Sequence, residues 1–392
     1  MCPTHTADVW DPKWLRERGN EILEFYYPAC LNDDGYRHRF RADGTAEPSV
    51  EPLVGTCRFI YGFAEGVHLD GPAWCVHAAR HGIDRLRTAF ADDVHGGFYW
   101  ELAEDGSIDE TKYAYGHAFA LLALSQASSA DVAAVDAEIA AVYDLLDDRL
   151  FEPEYGLYAV EATREWEPIT YRGQNANMHL CEACLAAYEA TGDERYLERA
   201  STIATAVVRC LSTGEGNIWE HFDEEWTADW TYNADDPDNL FRPHGYLPGH
   251  FVEWAKLLCL LDQHEPTDWR IPAAVRLFES AVDVAWDERH GGLQYAFDRD
   301  GRITNDRKYY WVTAEQLAAA ATLMAAGEPF EAWYERTWAY ALDTHVAADA
   351  PVWHRVLARD GSTVPESTPL SPPNKTDYHV LSALKTCRDA VL

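Results

Sequence analysis

Lysine is scarce in this sequence of 392 residues, because only six of its 32 basic residues are lysine and the other 26 are arginine. The basic residues are also outnumbered by 66 acidic ones, which leaves a formal net charge of -34. This deficit of positive charge excludes a nucleic-acid partner, since phosphate binding requires a basic patch. We interpret the dense acidic surface as a halophilic adaptation, because self-repulsion is screened at high salt.

The sequence also lacks a hydrophobic run that could cross a membrane, since none approaches about 18 uninterrupted apolar residues. Its nine cysteines have no disulfide-framework spacing, and residues 1–14 lack the basic stretch and apolar run of a secretory signal. We therefore expect a cytoplasmic protein. Cys181 and Cys184 form a CxxC without a second CxxC or a βαβ pattern, which argues against a zinc site or a redox motif.

One segment of about twelve residues occurs twice. Residues 95–106 read HGGFYWELAEDG and residues 290–301 read HGGLQYAFDRDG. Paired glycines, alternating apolar and polar residues and a closing Asp-Gly are typical of a β-hairpin. Four weaker copies begin at residues 33, 154, 214 and 350, so that successive copies are 62, 59, 60, 76 and 60 residues apart. A period near sixty residues leaves room for two helices per hairpin.

Helical periodicity occurs in pairs between the hairpins. The first helix of each pair is rich in alanine, leucine and aromatic residues, and the second is amphipathic. Only one helix follows the sixth hairpin, over residues 377–392, and its missing partner is the N-terminal helix at roughly residues 11–29. Six pairs completed in this way predict a closed ring. The predicted fold is all-α: an (α/α)6 barrel in a single domain over residues 1–392, with short β-hairpins where the inner helices begin.

The first turns of the inner helices contain the candidate functional residues. Because every inner helix follows a hairpin, all six are predicted to begin at the same end of the barrel. The residues placed there are Arg58, Tyr115, His117, Asn175, Asn177, His179, His250, Glu253, Trp311, Glu315, Tyr378 and His379. A lone histidine on an apolar helix is more often a core residue, but four at one level of a ring indicate an active site. The aromatic, Asp-rich insertion at residues 226–249 is expected to wall or cover this pocket.

The stretches around these residues resemble the N-acylglucosamine 2-epimerase superfamily, especially its aldose–ketose isomerase branch. The matching stretches are HGGFYWELAEDGSIDETKYAYGHAFALLA, YRGQNANMHLCEACLAAYEATGD, NIWEHFDEEW, FRPHGYLPGHFVEWAKLL, KYYWVTAEQL and DYHVLSAL. The resemblance implies an enzyme that isomerises or epimerises a monosaccharide without a metal or nucleotide cofactor. It also implies that the functional positions of the family are Arg58, Asn175, His179, His250, Glu253, Trp311 and His379.

Three positions depart from this resemblance. Val54 stands where related isomerases have tryptophan, Lys375 where the sulfoquinovose-converting members have glutamine, and Leu240 where those members have a basic residue. These differences argue against a sulfonated substrate. The residues expected to bind the sugar without taking part in proton transfer are Asn175, Tyr115, His117, Trp311, Glu315 and Lys375.

The expected chemistry is proton transfer by histidine, whose pKa lies near neutrality. His379 is expected to take the C2 proton of the open-chain aldose and return it to C1 through a cis-enediol. His250, held by Glu253 one helical turn further on, is expected to assist ring opening or to act on the opposite face. Arg58 and His179 are expected to bind the C1 and C2 oxygens, where negative charge develops.

Other functions are compatible with the sequence. A sugar 2-epimerase shares the intermediate and differs only in the carbon and face that regain the proton. A glycoside hydrolase would use Glu253 and Glu315 as carboxylates about 5–9.5 Å apart, and a sugar-binding module would bind without turnover. The HxxE of residues 250–253 differs from the HExxH of metalloproteases. Both a monomer and a homo-oligomer are compatible with the sequence.

Overall fold

The computed structural model describes residues 8–214, 216–239, 241–347, 350–365 and 376–392, and its helices alternate between an outer and an inner ring. The outer ring consists of α1 (Pro12–Tyr26), α3 (Trp74–Arg85), α5 (Asp136–Arg149), α7 (Glu194–Thr205), α9 (Arg270–Ala285) and α11 (Glu331–Tyr340). The inner ring consists of α2 (Leu53–His68), α4 (Ala114–Ser129), α6 (Gln174–Thr191), α8 (Pro248–His264), α10 (Tyr310–Ala325) and α12 (Tyr378–Val391). The predicted all-α (α/α)6 barrel is confirmed.

The two rings differ in how much of each helix is buried. In α10 every residue from Tyr310 to Leu323 is buried, and the alanines at 318–321 allow close packing of the neighbouring helices. In α7 only one face is buried, through residues spaced three or four apart. The predicted division into apolar inner and amphipathic outer helices is therefore confirmed. None of the described helices combines the length and apolar composition of a membrane span.

The strands of the described residues are short and pair antiparallel, in seven small sheets. They are β1 (Arg39–Phe40), β2 (Ala46–Glu47), β3 (Glu51–Pro52), β4 (Glu101–Leu102), β5 (Ile108–Asp109), β6 (Lys112–Tyr113), β7 (Phe151–Glu152), β8 (Leu157–Tyr158), β9 (Glu161–Ala162), β10 (Arg172–Gly173), β11 (His221–Phe222), β12 (Ala296–Phe297), β13 (Ile303–Asn305), β14 (Lys308–Tyr309) and β15 (Val356–Leu357). Strands β3, β6, β10 and β14 lead directly into inner helices. The hairpin layer therefore covers the end of the barrel where the inner helices begin, as predicted.

The strand before an inner helix pairs with the hairpin of the next repeat. Strand β3 precedes α2 and pairs with β4, β6 precedes α4 and pairs with β9, and β10 precedes α6 and pairs with β11. Strand β14 precedes α10 and pairs with β15. Tyr246, just before α8, bridges to Phe297 of β12 in the same way. Each of these repeats is thus tied to its successor.

The two HGG segments form equivalent turns. Both glycines of each segment have φ between 72° and 78°, a left-handed conformation that favours glycine. Asp92 and Asp287 stand at the start of these turns, and each pairs with a buried lysine: Lys112 at 2.9 Å and Lys308 at 3.6 Å. The repeated sequence therefore encodes a repeated turn with a buried ion pair beneath it.

The ring closes where the last helix meets the first, because α12 packs against both α1 and α2. Arg355, directly before β15, donates from Nη1 and Nη2 to the Asp377 carboxylate, at 2.7 Å each. Asp377 stands directly before α12. Nη2 of Arg355 also donates to the Tyr26 hydroxyl of α1, at 2.8 Å, and that hydroxyl donates to Asp377. These buried side chains join the two ends of the chain.

Replacing Asp377 with asparagine should therefore destabilise the barrel strongly. Asparagine tolerates the positive φ of 53° at this position, so the substitution mainly removes the charge that compensates Arg355. Leaving a buried guanidinium without its anion should lower the free energy of unfolding by about 3–5 kcal/mol in urea titrations. The control D389N removes the carboxylate of the exposed Lys385–Asp389 pair and should cost no more than about 1 kcal/mol. Equal losses in the two variants would contradict this prediction.

Candidate active site

The first turns of the inner helices bring one indole and three imidazoles together. The ring of Trp311 lies 5.3 Å from the ring of His250 and 5.7 Å from that of His379, measured between centroids. The ring of His179 lies 6.4 Å from that of His379. All four side chains belong to buried residues that are only 3–7% exposed. Four of the predicted site residues therefore form one cluster.

His250 is held by a carboxylate that the sequence analysis did not identify. Its Nδ1 lies 2.9 Å from Oε1 and 3.0 Å from Oε2 of Glu220, which directly precedes β11. Gln174, the first residue of α6, donates to the same carboxylate at 2.9 Å and accepts from the indole N–H of Trp254 at 2.8 Å. This chain of hydrogen bonds fixes the orientation of the imidazole and assigns its Nδ1 as the protonated nitrogen.

The expected pairing of Glu253 with His250 is wrong. Glu253 lies one turn further along α8, and its Oε1 approaches Nδ1 of His179, at 3.8 Å. No described residue hydrogen-bonds either of its carboxyl oxygens. Burial raises the pKa of Glu253 well above its ordinary value, and the nearby charge of Glu315 raises it further. Glu253 therefore holds a proton more readily than an ordinary glutamate does.

His379 and His179 are held by carboxylates that share one lysine. Nδ1 of His379 lies 2.7 Å from Oε1 of Glu315, whose Oε2 lies 2.7 Å from Nζ of Lys256. Nδ1 of His179 lies 3.2 Å from Oε2 of Glu182, whose Oε1 accepts from Lys256 at 3.3 Å. A carboxylate at Nδ1 holds the imidazole proton on that nitrogen, which leaves the lone pair on Nε2. Burial lowers the pKa of His179, so this imidazole is neutral.

Arg58 brings a positive charge to the same level of the barrel. Its Nη2 donates to the hydroxyl of Tyr115 at 3.1 Å, and its guanidinium lies 4.5 Å from the ring centroid of Phe119 and 5.2 Å from that of Tyr378. The ring of Phe119 in turn lies 4.8 Å from that of His179. Arg58 is only 2% exposed, so its charge acts in a medium of low dielectric constant.

Two other predicted residues differ sharply in their surroundings. The Oδ1 atom of Asn175 is buried without a hydrogen-bond partner among the described residues, which leaves it available for a ligand. Nε2 of His117 accepts from the backbone N–H of Phe98 at 3.0 Å, and its Nδ1 lies 2.8 Å from the carbonyl oxygen of Tyr113. The prediction that His117 binds substrate is wrong, because the backbone uses both of its ring nitrogens.

The remaining candidates are structural or lie outside the described residues. Asn177 accepts from the backbone N–H of Tyr158 at 2.8 Å and donates to its carbonyl oxygen at 3.0 Å, so it supports the hairpin layer. Val54 is buried in α2. Lys375 and Leu240 lie outside the described residues.

The insertion at residues 226–249 packs beside Glu220. The ring of Tyr232 stacks on that of His221, with centroids 4.5 Å apart, and Nε2 of His221 lies 2.8 Å from the carbonyl oxygen of Pro243. His221 directly follows Glu220 in the chain. The described part of the insertion therefore packs against the segment that contains Glu220, the residue that holds His250.

Sequence reasoning missed four supporting residues. Glu182 follows His179 by three residues, and Lys256 follows Glu253 by three, so helical spacing alone could have pointed to both. Glu220 and Gln174 stand in stretches that resemble the family, but each stands at the edge of a strand, where no helical periodicity marks it. Glu220 lies 30 residues before His250 in the chain, and Gln174 lies 76 residues before it.

Two groups of side chains have donors of the kind that metal ions prefer. Among the described residues, His179, Glu182 and Glu253 bring ligand atoms within 4.8 Å of one another, and so do Glu253, Glu315 and His379. The Lys256 ammonium already neutralises a carboxylate in each group. In each group, one carboxylate therefore already has a positive partner, the lysine ammonium.

Comparisons with known proteins identify the family of this chain. The chain matches the N-acylglucosamine 2-epimerase (GlcNAc 2-epimerase) family over residues 35–383. It is 38% identical to a D-mannose isomerase of Marinomonas mediterranea, over 94% of this chain and 95% of that protein, and 32% identical to one of Thermobifida fusca, over 97% and 95%. A crystal structure of a D-mannose isomerase superposes with a TM-score of 0.92 at 36% identity, over 96% of this chain and 98% of that one. The chain therefore belongs to the N-acylglucosamine 2-epimerase family.

Proposed function

We propose that this protein is an isomerase that interconverts D-mannose and D-fructose. The observation that carries the proposal is a pair of imidazoles, His250 and His379, which both lie against the indole of Trp311 and both have a carboxylate on Nδ1. Such a pair can remove and return a proton on carbon while the indole packs against the sugar. The relatives that bear the name D-mannose isomerase support this choice of substrate.

His379 acts as the base in this proposal. Its Nδ1 proton is held by Glu315, so Nε2 takes the C2 proton of the open-chain aldose and returns it to C1. The C1 oxygen gains a proton and the C2 hydroxyl loses one in the same sequence, which gives the ketose through a cis-enediol. His250, oriented by Glu220, opens the ring: its Nε2 takes the proton of the anomeric hydroxyl and gives it to the ring oxygen as the bond between C1 and the ring oxygen breaks. Positioned proton transfer of this kind accelerates a reaction by about 10²–10⁴-fold.

The enediolate oxygens require positive charge and proton donors. Arg58 supplies the charge, and protonated Glu253 supplies a donor close to His179 and Glu315. Because Nδ1 of neutral His179 donates to Glu182, its Nε2 accepts from a sugar hydroxyl. His179 therefore orients the substrate in this scheme, while Arg58 and Glu253 stabilise the developing anion.

The geometry disfavours a glycoside hydrolase. Paired hydrolytic carboxylates stand about 5–9.5 Å apart on either side of a glycosidic bond, whereas Glu253 and Glu315 bring oxygens within 4.8 Å of each other. Glu315 is also occupied by His379 and Lys256. Neither carboxylate is therefore placed to flank a substrate bond.

We further propose a cytoplasmic location and adaptation to salt. All eight cysteines among the described residues have free thiols, which suits a reducing compartment. The net charge of -34 supports salt adaptation, since high ionic strength screens the repulsion between acidic side chains.

Product analysis tests the proposed activity. Incubation of the protein with D-mannose in about molar KCl, where repulsion between its acidic residues is screened, should yield D-fructose and no D-glucose. The same product should form in the presence of EDTA, because the chemistry assigned here uses only side chains. Chromatography of parallel incubations with mannose, fructose, glucose and lyxose provides the measurement. Glucose from mannose without fructose would instead establish a 2-epimerase, and unchanged sugars would indicate a binding module.

Solvent exchange distinguishes the two histidines. H379N should abolish both turnover and exchange of the C2 hydrogen with D2O, because no base remains at that carbon, while sugar binding persists through Arg58 and Trp311. H250N should slow turnover but retain exchange with substrate that is already open-chain. NMR of the sugar in D2O measures both rates. Exchange lost in H250N and kept in H379N would reverse the assigned roles.

Glu220 should be nearly as important for turnover as the histidine that it orients. In E220Q an amide replaces the carboxylate at Nδ1 of His250, so the imidazole loses its charged acceptor, and kcat should fall by about 10²–10⁴-fold. The matched control is E189Q, which changes the His264–Glu189 contact of 3.0 Å at the surface and should leave kcat unchanged. Steady-state kinetics on mannose at several pH values measure both. A wild-type kcat in E220Q would contradict the assigned role.

A further inference from the structure

Lys256 is one of only six lysines in the chain and is 1% exposed. It lies on α8, one turn after Glu253, and its ammonium contacts Oε2 of Glu315 at 2.7 Å and Oε1 of Glu182 at 3.3 Å. The mechanism above gives it no role. Its two partners, however, are the carboxylates that hold Nδ1 of His379 and Nδ1 of His179.

A carboxylate next to an imidazole creates a difficulty for base catalysis. In a medium of low dielectric constant an uncompensated carboxylate favours the imidazolium form of its neighbour, and an imidazolium cannot remove a proton from carbon. Burial raises the pKa of Glu315 while the Lys256 ammonium opposes that rise. Burial also acts to raise the pKa of Glu182, but Lys256, His179 and Tyr378 together outweigh it, so that this pKa lies below its usual range.

We infer that Lys256 is a positioning residue, whose ammonium supplies the counter-charge of Glu315 and Glu182 and so keeps His379 and His179 neutral with the proton on Nδ1. This role in turnover rests on the proposed isomerase function, whereas the effect on the imidazoles does not. Lys256 touches neither the sugar nor the reacting carbons in this scheme. It acts on the carboxylates, and through Glu315 it keeps the lone pair on Nε2 of His379.

The other charged and titratable groups near Lys256 come from several inner helices. Besides Glu182 and Glu315 they are Tyr61 and Glu65 of α2, Glu253 of α8, and Tyr378 and Lys385 of α12. Burial raises the pKa of Glu65 to about 7 and raises that of Glu253 well above its ordinary value. Glu65 can therefore take up a proton near neutral pH, and Glu253 carries its proton in the proposed scheme, but neither replaces the positive charge of Lys256.

Lys256 can be reached from the end of the barrel opposite the sugar. A cavity of about 310 Å³ is lined by residues of the C-terminal halves of the inner helices, among them Glu65, Gln126, Glu189 and Asp389, and Lys256 and Glu182 lie on its wall. The imidazoles and Trp311 lie instead at the N-terminal ends of these helices. An amine that enters this cavity could reach the position of the ammonium without competing with the sugar.

The first test is the pH dependence of K256M. Without the ammonium, the cluster should take up a proton in its place, so the acid limb of the kcat/KM profile should move to higher pH by about one unit or more. At neutral pH kcat should fall by up to about tenfold for each pH unit of that shift, with a much smaller change in KM. K256R keeps the charge and should retain most of the wild-type profile. K385M, which removes another lysine of the same cavity that pairs with Asp389, should behave as wild type.

The second test is rescue of K256A by methylammonium. The amine should restore turnover in a saturable manner, and its effect should be independent of mannose concentration because the two ligands enter from opposite ends. Methanol, which is neutral and of similar size, should not restore turnover. A wild-type kcat and pH profile in K256M, or a folded K256A that no amine rescues, would overturn the inference.

Nitrogen-15 NMR of the histidines separates this inference from the proposed function. The His379 signals, assigned by their loss in H379N, should show a neutral ring with the proton on Nδ1 in the wild type at pH 7, and an imidazolium in K256M. If the wild type fails to convert mannose while this difference is present, the function fails and the electrostatic role of Lys256 stands. Identical His379 signals in the two proteins would refute that role whatever the activity. Circular dichroism confirms that each variant is folded.

Discussion

Most residues of the inner helices are buried, and this constraint governs the polar side chains of the candidate site. A buried charge is tolerated only when it is paired and hydrogen-bonded. Each of the three clustered imidazoles accordingly has a carboxylate at Nδ1, and two of these carboxylates share the ammonium of Lys256. The hydrogen bonds and ion pairs that compensate these buried polar groups therefore also influence the protonation states of the three imidazoles.

The two halves of the site are supported differently. Glu220, at Nδ1 of His250, has no lysine or arginine partner among the described residues, and Gln174 stabilises it with neutral hydrogen bonds. Its charge therefore stabilises a positive charge on His250 after proton uptake, whereas Lys256 opposes a positive charge on His379. This asymmetry suits His250 to proton transfer at oxygen and His379 to proton removal from carbon. Glu253 has no hydrogen-bond partner among the described residues and is the donor that the proposed mechanism assigns to the substrate.

The hairpin layer connects this site to the fold. Strand β10 leads into α6 and pairs with β11, the strand that directly follows Glu220. That pairing brings Gln174 of one repeat beside Glu220 of the next. The link between consecutive repeats therefore also builds the support of His250, so that joining the repeats and orienting this imidazole depend on the same backbone contacts.

Much of this architecture could be predicted from sequence because it is periodic. The sixty-residue hairpin repeat and the alternation of apolar and amphipathic helices determined the (α/α)6 barrel, and the first turns of the inner helices pointed to Arg58, His179, His250, Trp311 and His379. Local patterns do not determine which side chains meet across the ring. The carboxylate beside His250 is therefore that of Glu220 and not the predicted Glu253, and His117 hydrogen-bonds backbone atoms instead of facing a substrate. Only the tertiary structure decided these pairings and the central place of Lys256, because a buried charge is neutralised by whichever opposite charge the packing brings within reach, regardless of separation along the chain.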